Sequence, residues 1–428
     1  MNERRNIMSK LKRFLGAALA LTMSIGFLAG CGTTSTPAPK ENQEITFMVP
    51  EWGAPPQEML DEFKKESGIT VKVQVTSWDD TKSKVSVASA GKKAPADVFE
   101  VDWSWAGEFG AAGWLEKQNP DDATLKDIPT YSYFKVGNDY YATPYVNDVR
   151  FAYWNKEMAQ KAGITTAPTT ATELENSLAA MKSAGAIDYP FLFPLTAEEK
   201  TTTSFVTLAF VRNGIVFNQD GTLNKESATD TLTALKGYLD KGLINPNNTS
   251  TPGIDVFRGI KNGTGAFLLG PTSFTTSTND PKESKVVGQV ITIPIPGKDS
   301  VAKNTIAFPE ALGISAYSEH KEAAKKFVTW YTSKATQLKL NKAINNPPTR
   351  ISALQDMAKG ENAQAAETIL KQLQLVTTPF PNGVPKYYTK MSTIIFNIVN
   401  QMGQGTLTPQ EAADQMTEKV NALVSENK

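Results

Sequence analysis

Acidic residues and tryptophans stand side by side at three places in the first quarter of the chain. They are Glu51-Trp52, Trp78-Asp79 and Asp102-Trp103-Ser104-Trp105. An ionised carboxylate forms strong charge-assisted hydrogen bonds with a ligand's donors. The flat face of an indole packs against apolar groups or a cation. The repeated pairing predicts a site that binds a polar small ligand. Core packing remains the alternative for each tryptophan taken singly.

The elements that would position these residues follow from hydrophobic periodicity. Segments 43–52, 69–78 and 96–105 alternate or are β-branched and predict strands, while 55–68 and 79–91 have helical spacing. A strand-helix-strand-helix-strand order predicts a parallel sheet with covering helices. Ligands bind at the carboxyl ends of such strands, which is where all three acidic-aromatic pairs lie.

Further elements predict an α/β fold along the rest of the chain. Amphipathic or capped segments indicate helices, and apolar runs bounded by glycine or proline indicate strands. The predicted helices are 170–185, 229–243, 319–333, 390–402 and 409–424, and the predicted strands are 265–271, 286–297 (both buried) and 311–318. A length of 428 residues favours two or three domains, or one large two-lobed unit.

Composition excludes several classes of protein. The chain has 44 basic and 44 acidic residues, of which five basic and one acidic lie in residues 1–30, so the remainder is mildly acidic. Nothing in that balance favours nucleic acid as a partner. One cysteine and one histidine, His320, exclude an internal disulfide, a Cys/His zinc cluster and any histidine-dependent triad that does not use His320. We expect no metal and no cofactor.

The N-terminus has the pattern of a secretory signal. Residues 1–13 are basic, and the apolar run 14–28 is shorter than the roughly 20 residues that a membrane span requires. Leu28-Ala29-Gly30-Cys31 resembles the bacterial lipobox, in which the cysteine is lipidated and becomes the new N-terminus. We therefore predict a signal peptide over 1–30 and a lipidated Cys31 with a flexible tether over 31–42. A signal with a chance cysteine is the alternative.

An ordered set of motifs runs along the chain. The longest is "YYATPYVNDVRFAYWNKEMAQKAGITTAPTTATEL" over 140–174. The other motifs, in chain order, are "APADVFEVD", "FRGIKNGTGAFLLGP", "IPIPG", "ALGISAYSEHKEAAKKFVTWYTS" and "NNPPTR". The set resembles the sugar-binding, maltose-binding-protein-like solute-binding proteins of ABC importers, known as family 1, and the longest motif is similar to that family's "YGVP…YYNKELFEKAGI..PPTTWDEL".

The resemblance implies a fold of two α/β lobes, each a sheet flanked by helices, joined by three hinge crossings. Lobe one would comprise 43–145 and 307–345, and lobe two 146–300 and 346–428. The crossings would lie within 143–148, 296–308 and 345–348. The family also implies a carbohydrate bound between the lobes, permease subunits as partners, and binding rather than catalysis. We expect a monomer held at the outer face of the cytoplasmic membrane by its lipid, as in a Gram-positive bacterium.

The resemblance extends the set of candidate ligand-binding residues beyond the acidic-aromatic pairs. The additional candidates are Asn147, Phe274, Glu310, Arg350 and Tyr387. For each, a surface or scaffold role is the alternative, and Arg350 could simply bind a loop carboxylate. Thr272 stands where the family often has a tryptophan that stacks on a sugar ring, and this departure leaves the sugar's identity open.

Three other functions are compatible with parts of the sequence. Indoles beside carboxylates also suit a polyamine or a quaternary amine. A glycoside hydrolase would need two carboxyl groups across the scissile bond, and the chain has many acids. A purely structural surface lipoprotein would bind no small ligand.

Overall fold

The computed structural model describes residues 43–360 and 363–427. The predicted signal peptide, Cys31 and the tether lie outside these residues. No helix in the described ranges combines the length and the apolar character needed to cross a membrane.

Eleven strands form three sheets within the described residues. The strands are β1 (Gln43–Val49), β2 (Ile69–Val75), β3 (Val98–Asp102), β4 (Lys135–Val136), β5 (Asp139–Tyr140), β6 (Ala142–Val146), β7 (Phe151–Asn155), β8 (Phe191–Leu192), β9 (Phe267–Gly270), β10 (Val290–Ile293) and β11 (Glu310–Ile314). The first sheet has the order β2-β1-β3-β11-β6, the second has β10-β7-β9-β8, and β4 and β5 form a small hairpin.

Helices cover both large sheets. They are α1 (Gln57–Ser67), α2 (Trp78–Ala90), α3 (Ala106–Ala111), α4 (Asp122–Asp127), α5 (Lys156–Lys161), α6 (Ala171–Ser183), α7 (Glu199–Asn213), α8 (Lys225–Asp240), α9 (Gly253–Asn262), α10 (Phe274–Ser277), α11 (Lys321–Tyr331), α12 (Lys334–Ile344), α13 (Ile351–Met357), α14 (Ala363–Leu373), α15 (Tyr388–Gly403) and α16 (Pro409–Glu426). Short 3₁₀ helices cover Glu51–Gly53, Pro129–Phe134 and Pro246–Thr249.

Local sequence signals account for several helix ends. Thr170 and Glu173 form a reciprocal capping box at the start of α6. Gly68 ends α1 in the left-handed conformation at φ 75°, which glycine adopts without a steric penalty. These helices lie where periodicity and capping predicted them.

The first sheet is mixed rather than wholly parallel. Strands β2, β1 and β3 are parallel, as predicted, but β11 inserts between β3 and β6 and is antiparallel to both. The chain reaches β11 after leaving the second sheet at β10, and β11 runs opposite to β3. As a result, the start of β11 lies at the same sheet edge as the ends of β1, β2, β3 and β6.

The second sheet corrects the prediction that 286–297 is a buried strand. Strand β10 pairs only with β7 at the sheet edge, and Ile291 is 40% exposed. The segment is apolar, but one face of an edge strand can remain in water. Strand β9, by contrast, is buried along its whole length, as predicted.

Helix α7 is absent from the sequence-based predictions. Its residues from Thr201 to Val211 are buried, including a run of threonines. A helix buried all round has no polar face, so it lacks the amphipathic period on which the prediction depended. Thr202 and Thr207 satisfy their hydroxyls on backbone carbonyl oxygens, which lets such a helix pack in the core.

Candidate functional site

A cavity of about 390 Å³ lies where the edges of the two large sheets face each other. Six of the predicted ligand-binding residues line it: Trp52, Trp78, Asp102, Trp103, Asn147 and Glu310. Five of these residues lie at the sheet edge that β1, β2, β3 and β11 share. The sixth, Asn147, directly follows β6.

Trp78 and Asp102 join neighbouring βα turns at this edge. The Trp78 indole N–H donates to Asp102 Oδ2 across 3.1 Å. Asp102 Oδ1 accepts from the backbone N–H of Ser104 at 2.8 Å and from its hydroxyl at 2.5 Å. Burial raises the pKa of the Asp102 carboxyl, although these hydrogen bonds oppose the rise. The aspartate therefore fixes the indole by its edge and leaves a ring face toward the cavity.

Trp52 is held in a comparable way at the mouth of the cavity. Its indole N–H donates to Glu310 Oε2 at 2.5 Å, and its side chain is 45% exposed. The adjacent Gly53 lies directly against the Tyr145 hydroxyl, where a Cβ would overlap that oxygen. Any larger residue at position 53 would displace this turn, so the glycine permits the placement of Trp52.

Trp103 forms a buried part of the cavity wall. Its ring packs on Phe308 at 4.9 Å, on Tyr388 at 4.7 Å and on Phe380 at 5.7 Å between centroids. Trp103 follows β3, whereas Tyr388 begins α15 and Phe380 lies just before it. Through this aromatic cluster, the C-terminal region packs against the edge of the first sheet.

Asp148 and Arg150 lie on the opposite wall of the cavity. The sequence analysis selected neither residue. Arg150 Nη2 lies 3.2 Å from Asp148 Oδ2, and the guanidinium sits 4.8 Å from the Phe308 ring centroid and 5.4 Å from that of Phe257. Asp148 Oδ1 and Arg150 Nη1 are buried with no hydrogen-bond partner among the described residues. The sequence does contain a signal for this pair, namely two charged residues within the largely apolar run "NDVRFAYW".

Helix α7 contributes Glu199, Lys200 and Thr203 to the same wall. Glu199 accepts hydrogen bonds from the Tyr388 hydroxyl at 2.6 Å and the Ser392 hydroxyl at 2.5 Å. Burial raises the pKa of Glu199 to about 7. These residues were missed because α7 itself was not predicted.

Thr272, the residue that departs from the expected family motif, also lines the cavity. It is 1% exposed, its hydroxyl accepts from the Val149 N–H at 2.8 Å, and it lies 3.1 Å from the Val149 carbonyl oxygen. The side chain therefore hydrogen-bonds to the segment just before β7 and presents no flat ring to the cavity.

Four predicted site residues lie away from the cavity lining. Trp105 is fully buried and packs on Trp78 at 4.7 Å, and Phe274 is 6% exposed and packs on Tyr153. Glu51 is exposed at the start of its 3₁₀ helix. Tyr387 is half-buried immediately before α15.

Arg350 also lies outside the cavity lining, and its contacts match the loop-carboxylate alternative. Its Nη1 pairs with Asp127 Oδ2 at 2.9 Å, and its Nε donates to the Thr332 carbonyl at 2.7 Å. Asp79 belongs to α2, but its side chain is outside the part of the structure that is described, as is Cys31.

Metal coordination has no support in the described ranges. No group of three or more histidine, cysteine, aspartate or glutamate side chains there is arranged to hold a metal ion. The cavity carboxyls instead accept hydrogen bonds from tryptophan, tyrosine and serine groups, and Asp148 pairs with Arg150.

Comparison with known proteins defines the class of this chain. The family model for bacterial extracellular solute-binding proteins matches residues 49–338, and the chain belongs to that family. The recognition of the chain as an extracellular solute-binding protein is thereby confirmed. As an extracellular solute-binding protein, it is placed outside the cytoplasm.

Individual relatives are distant but span most of the chain. A probable amino-acid ABC transporter periplasmic-binding protein of Sinorhizobium fredii is 26% identical over 85% of this chain and 84% of its own length. Maltose-bound MalE3 of T. maritima has a TM-score of 0.76 at 22% identity, covering 89% of this chain and 99% of that one. A ribitol complex of a solute-binding protein from Agrobacterium radiobacter K84 has a TM-score of 0.79 at 21% identity, covering 90% and 100%. These similarities confirm the two-lobed α/β fold.

Proposed function

We propose that this protein is a lipid-anchored extracellular receptor that binds a short oligosaccharide and delivers it to the permease of an ABC importer. The observation that carries the proposal is that two cavity indoles, Trp52 and Trp78, each donate their N–H to a carboxylate, Glu310 and Asp102. This arrangement immobilises each ring by its edge and leaves a ring face available to a ligand.

A sugar has the complementary chemistry. Its C–H faces pack on flat apolar rings, and its hydroxyls hydrogen-bond to carboxylates, guanidinium groups and amides. Asp148, Arg150 and Lys200 add a carboxyl, a guanidinium and an ammonium group to the lining of the cavity.

The size of the cavity supports a short saccharide. Its volume of about 390 Å³ lies toward the lower end of the range typical of small-molecule sites, about 300–1,000 Å³. Maltose and ribitol are the ligands named for two solute-binding proteins of the same fold. The absence of an indole at Thr272 favours recognition mainly by the rings at the first sheet's edge.

Binding would be coupled to closure of two lobes. We assign lobe one to 43–145 and 307–345, and lobe two to 146–300 and 346–428. The cavity residues come from both sets, so contacts that require both lobes would stabilise the closed state. The closed form would then be recognised by the permease. This cycle requires binding and release and no bond cleavage.

The membrane attachment follows from the N-terminal sequence. We infer that Cys31 is lipidated after removal of residues 1–30 and that the tether to residue 42 leaves the protein free to reach its permease. In a Gram-positive cell, which has no outer membrane, such an anchor keeps a monomeric receptor near its transporter. Metabolic labelling with a fatty acid should mark the wild-type protein but not Cys31→Ser.

A polyamine or quaternary amine is the second candidate ligand. Four carboxyl groups line the cavity, from Asp102, Asp148, Glu199 and Glu310, against two cations, Arg150 and Lys200. That excess of carboxyl groups, beside indole faces, is the specific observation that favours an amine. Such binding would weaken strongly with salt, whereas binding of a neutral sugar would not.

Thermal-shift measurements on the purified protein test the proposal. The panel contains neutral mono- and oligosaccharides, spermidine and choline, each at low and high salt. A ligand at 100 times its Kd should stabilise the protein by about 2.7 kcal/mol. A shift with a neutral saccharide that is lost in Trp52→Ala and kept in Trp114→Ala supports the proposal. A shift with amines alone favours the second candidate, and no shift with any compound contradicts both.

A further inference from the structure

Two glutamates lie directly behind the Trp52 indole on one face of the first sheet. Glu100 in β3 faces Leu312 of β11, and Glu310 at the start of β11 faces Asp102, so the two glutamates are diagonal neighbours. The Tyr145 hydroxyl donates to Glu100 Oε2 and lies 3.4 Å from Glu310 Oε2. The two carboxyl groups are within hydrogen-bonding reach of each other.

The surroundings of this pair do not favour two negative charges. Glu100 is 0% exposed. The charged groups that act on the pair are the carboxyls of Asp102 and Asp148, and Tyr331 packs beside Tyr145 at 5.6 Å between ring centroids. Two carboxyls in such contact, with burial and further acids around them, retain one proton between them.

The hydrogen bonds indicate which glutamate carries that proton. Glu310 Oε2 accepts from the Trp52 indole, which opposes the burial that raises the pKa of Glu310 to about 8. Glu100 Oε1 is buried and accepts no hydrogen bond from any described residue. An oxygen without a donor partner can carry the proton, and Glu310 is the carboxyl within hydrogen-bonding reach of Glu100.

We propose that Glu100 is a positioning residue of the cavity: its protonated carboxyl donates to Glu310 and holds Glu310 in place as the acceptor that fixes the Trp52 indole. Glu100 does not line the cavity and touches no ligand. It acts through Glu310. Burial raises the pKa of Glu100 well above its usual value, with repulsion from Glu310 as the next cause, which agrees with this assignment.

The inference rests on the proposed function only in treating Trp52 as a ligand-binding ring, and it can be tested without ligand. Infrared difference spectra of the wild type and Glu100→Gln at neutral pH report the C=O stretch of a protonated carboxyl. Trp52 emission, isolated by subtracting the spectrum of each variant's Trp52→Phe partner, reports the position of the indole. Glu100→Gln can donate an N–H to Glu310 and accept from Tyr145, whereas Glu100→Leu can do neither. The exposed Glu322→Gln is the matched control.

The expected result is a protonated-carboxyl band in the difference between the wild type and Glu100→Gln, and no such band in the difference between the wild type and Glu322→Gln. Trp52 emission should be unchanged in Glu100→Gln and shifted in Glu100→Leu. An undiminished band in Glu100→Gln would overturn the proposal, as would unchanged Trp52 emission in a folded Glu100→Leu. If Glu100→Leu does not fold, the infrared comparison still decides. Either failure would leave sugar binding at the cavity to be judged by its own thermal-shift test.

Discussion

The Trp78 indole N–H donates to Asp102 Oδ2 across 3.1 Å, which joins the first turn of α2 to the end of β3. An aspartate that could have hydrogen-bonded a ligand with both oxygens instead uses one to orient an aromatic ring. Trp52 and Glu310 repeat the relationship between β1 and β11. In this cavity, the carboxyl groups of Asp102 and Glu310 hold the indoles in position as well as offering oxygen atoms to a ligand.

The first prediction separates the ring of Trp78 from its N–H group. Trp78→Phe keeps a flat face but loses the hydrogen bond to Asp102, while Trp78→Ala loses both. We expect about a 10-fold loss of saccharide affinity for phenylalanine and about a 100-fold loss for alanine, as for an aromatic anchor residue. Titration calorimetry with the saccharide found by thermal shift measures both. Equal losses for the two variants would mean that the ring face contributes nothing.

The second prediction concerns the pH dependence of stability at Glu199. Burial raises its pKa to about 7, so between about pH 4.3 and 7 the folded protein keeps a proton that the unfolded chain has released. The free energy of unfolding therefore falls as pH rises through this window. Glu199→Gln should remove that fall. At pH 8 the variant should be more stable than wild type by about 2 kcal/mol, which is less than the full pKa difference would give because the side chain is only partly buried.

Urea unfolding at pH 5 and pH 8 measures this difference. The exposed Glu226→Gln is the control and should follow the wild-type pH profile. A Glu199→Gln variant with the wild-type slope would show that Glu199 is ionised throughout.

The third prediction concerns the buried ion pair on the cavity wall. Arg150→Met removes the guanidinium and leaves Asp148 without its ionic partner, so we expect a loss of about 3 kcal/mol of stability. Adding Asp148→Asn should recover much of that loss. The exposed pair of Arg258 and Asp255 serves for comparison: Arg258→Met should cost less than about 1 kcal/mol. Similar losses for Arg150→Met and Arg258→Met would argue against a buried, coupled pair.

The fourth prediction concerns the residue that departs from the expected family motif. Thr272→Trp would force a large ring into a site that is 1% exposed and break the hydrogen bonds to Val149. Overpacking of this kind costs roughly 1–3 kcal/mol, so the variant should lose stability and gain no affinity. Thr276→Trp, at a half-exposed position in the following helix α10, should be tolerated. Tighter saccharide binding by Thr272→Trp would contradict this account of the wall.

The sequence predicted one wall of the cavity far better than the other. Alternation over 43–52 and 69–78 identified β1 and β2, and the order of elements placed Trp52, Trp78 and Trp103 at one edge. Trp105 carries the same local signal as Trp103, yet it is buried beside Trp78. Adjacent residues after a strand point in different directions once the turn begins, and periodicity does not describe that turn.

The second wall depended on tertiary packing. Because helix α7 has no polar face, its sequence lacks an amphipathic period. The helix was therefore not predicted, and Glu199 and Lys200 could not be placed on it. Arg150 is stabilised by Phe257 and Phe308, which are distant in sequence and come together only in the fold. The antiparallel insertion of β11 likewise depends on the chain's return from the second sheet, and local alternation carries no information on strand direction.

The central claim is that Trp52 and Trp78 contact a saccharide in this cavity. Indole N–H resonances of the protein labelled with ¹⁵N-tryptophan test it most directly, because the chain has 7 tryptophans and single Trp→Phe variants assign each one. We predict that a stabilising saccharide shifts the resonances of Trp52 and Trp78 and leaves that of Trp330, which packs in the core beneath the first sheet, in place. Saturating saccharide that moves neither cavity indole would contradict the account.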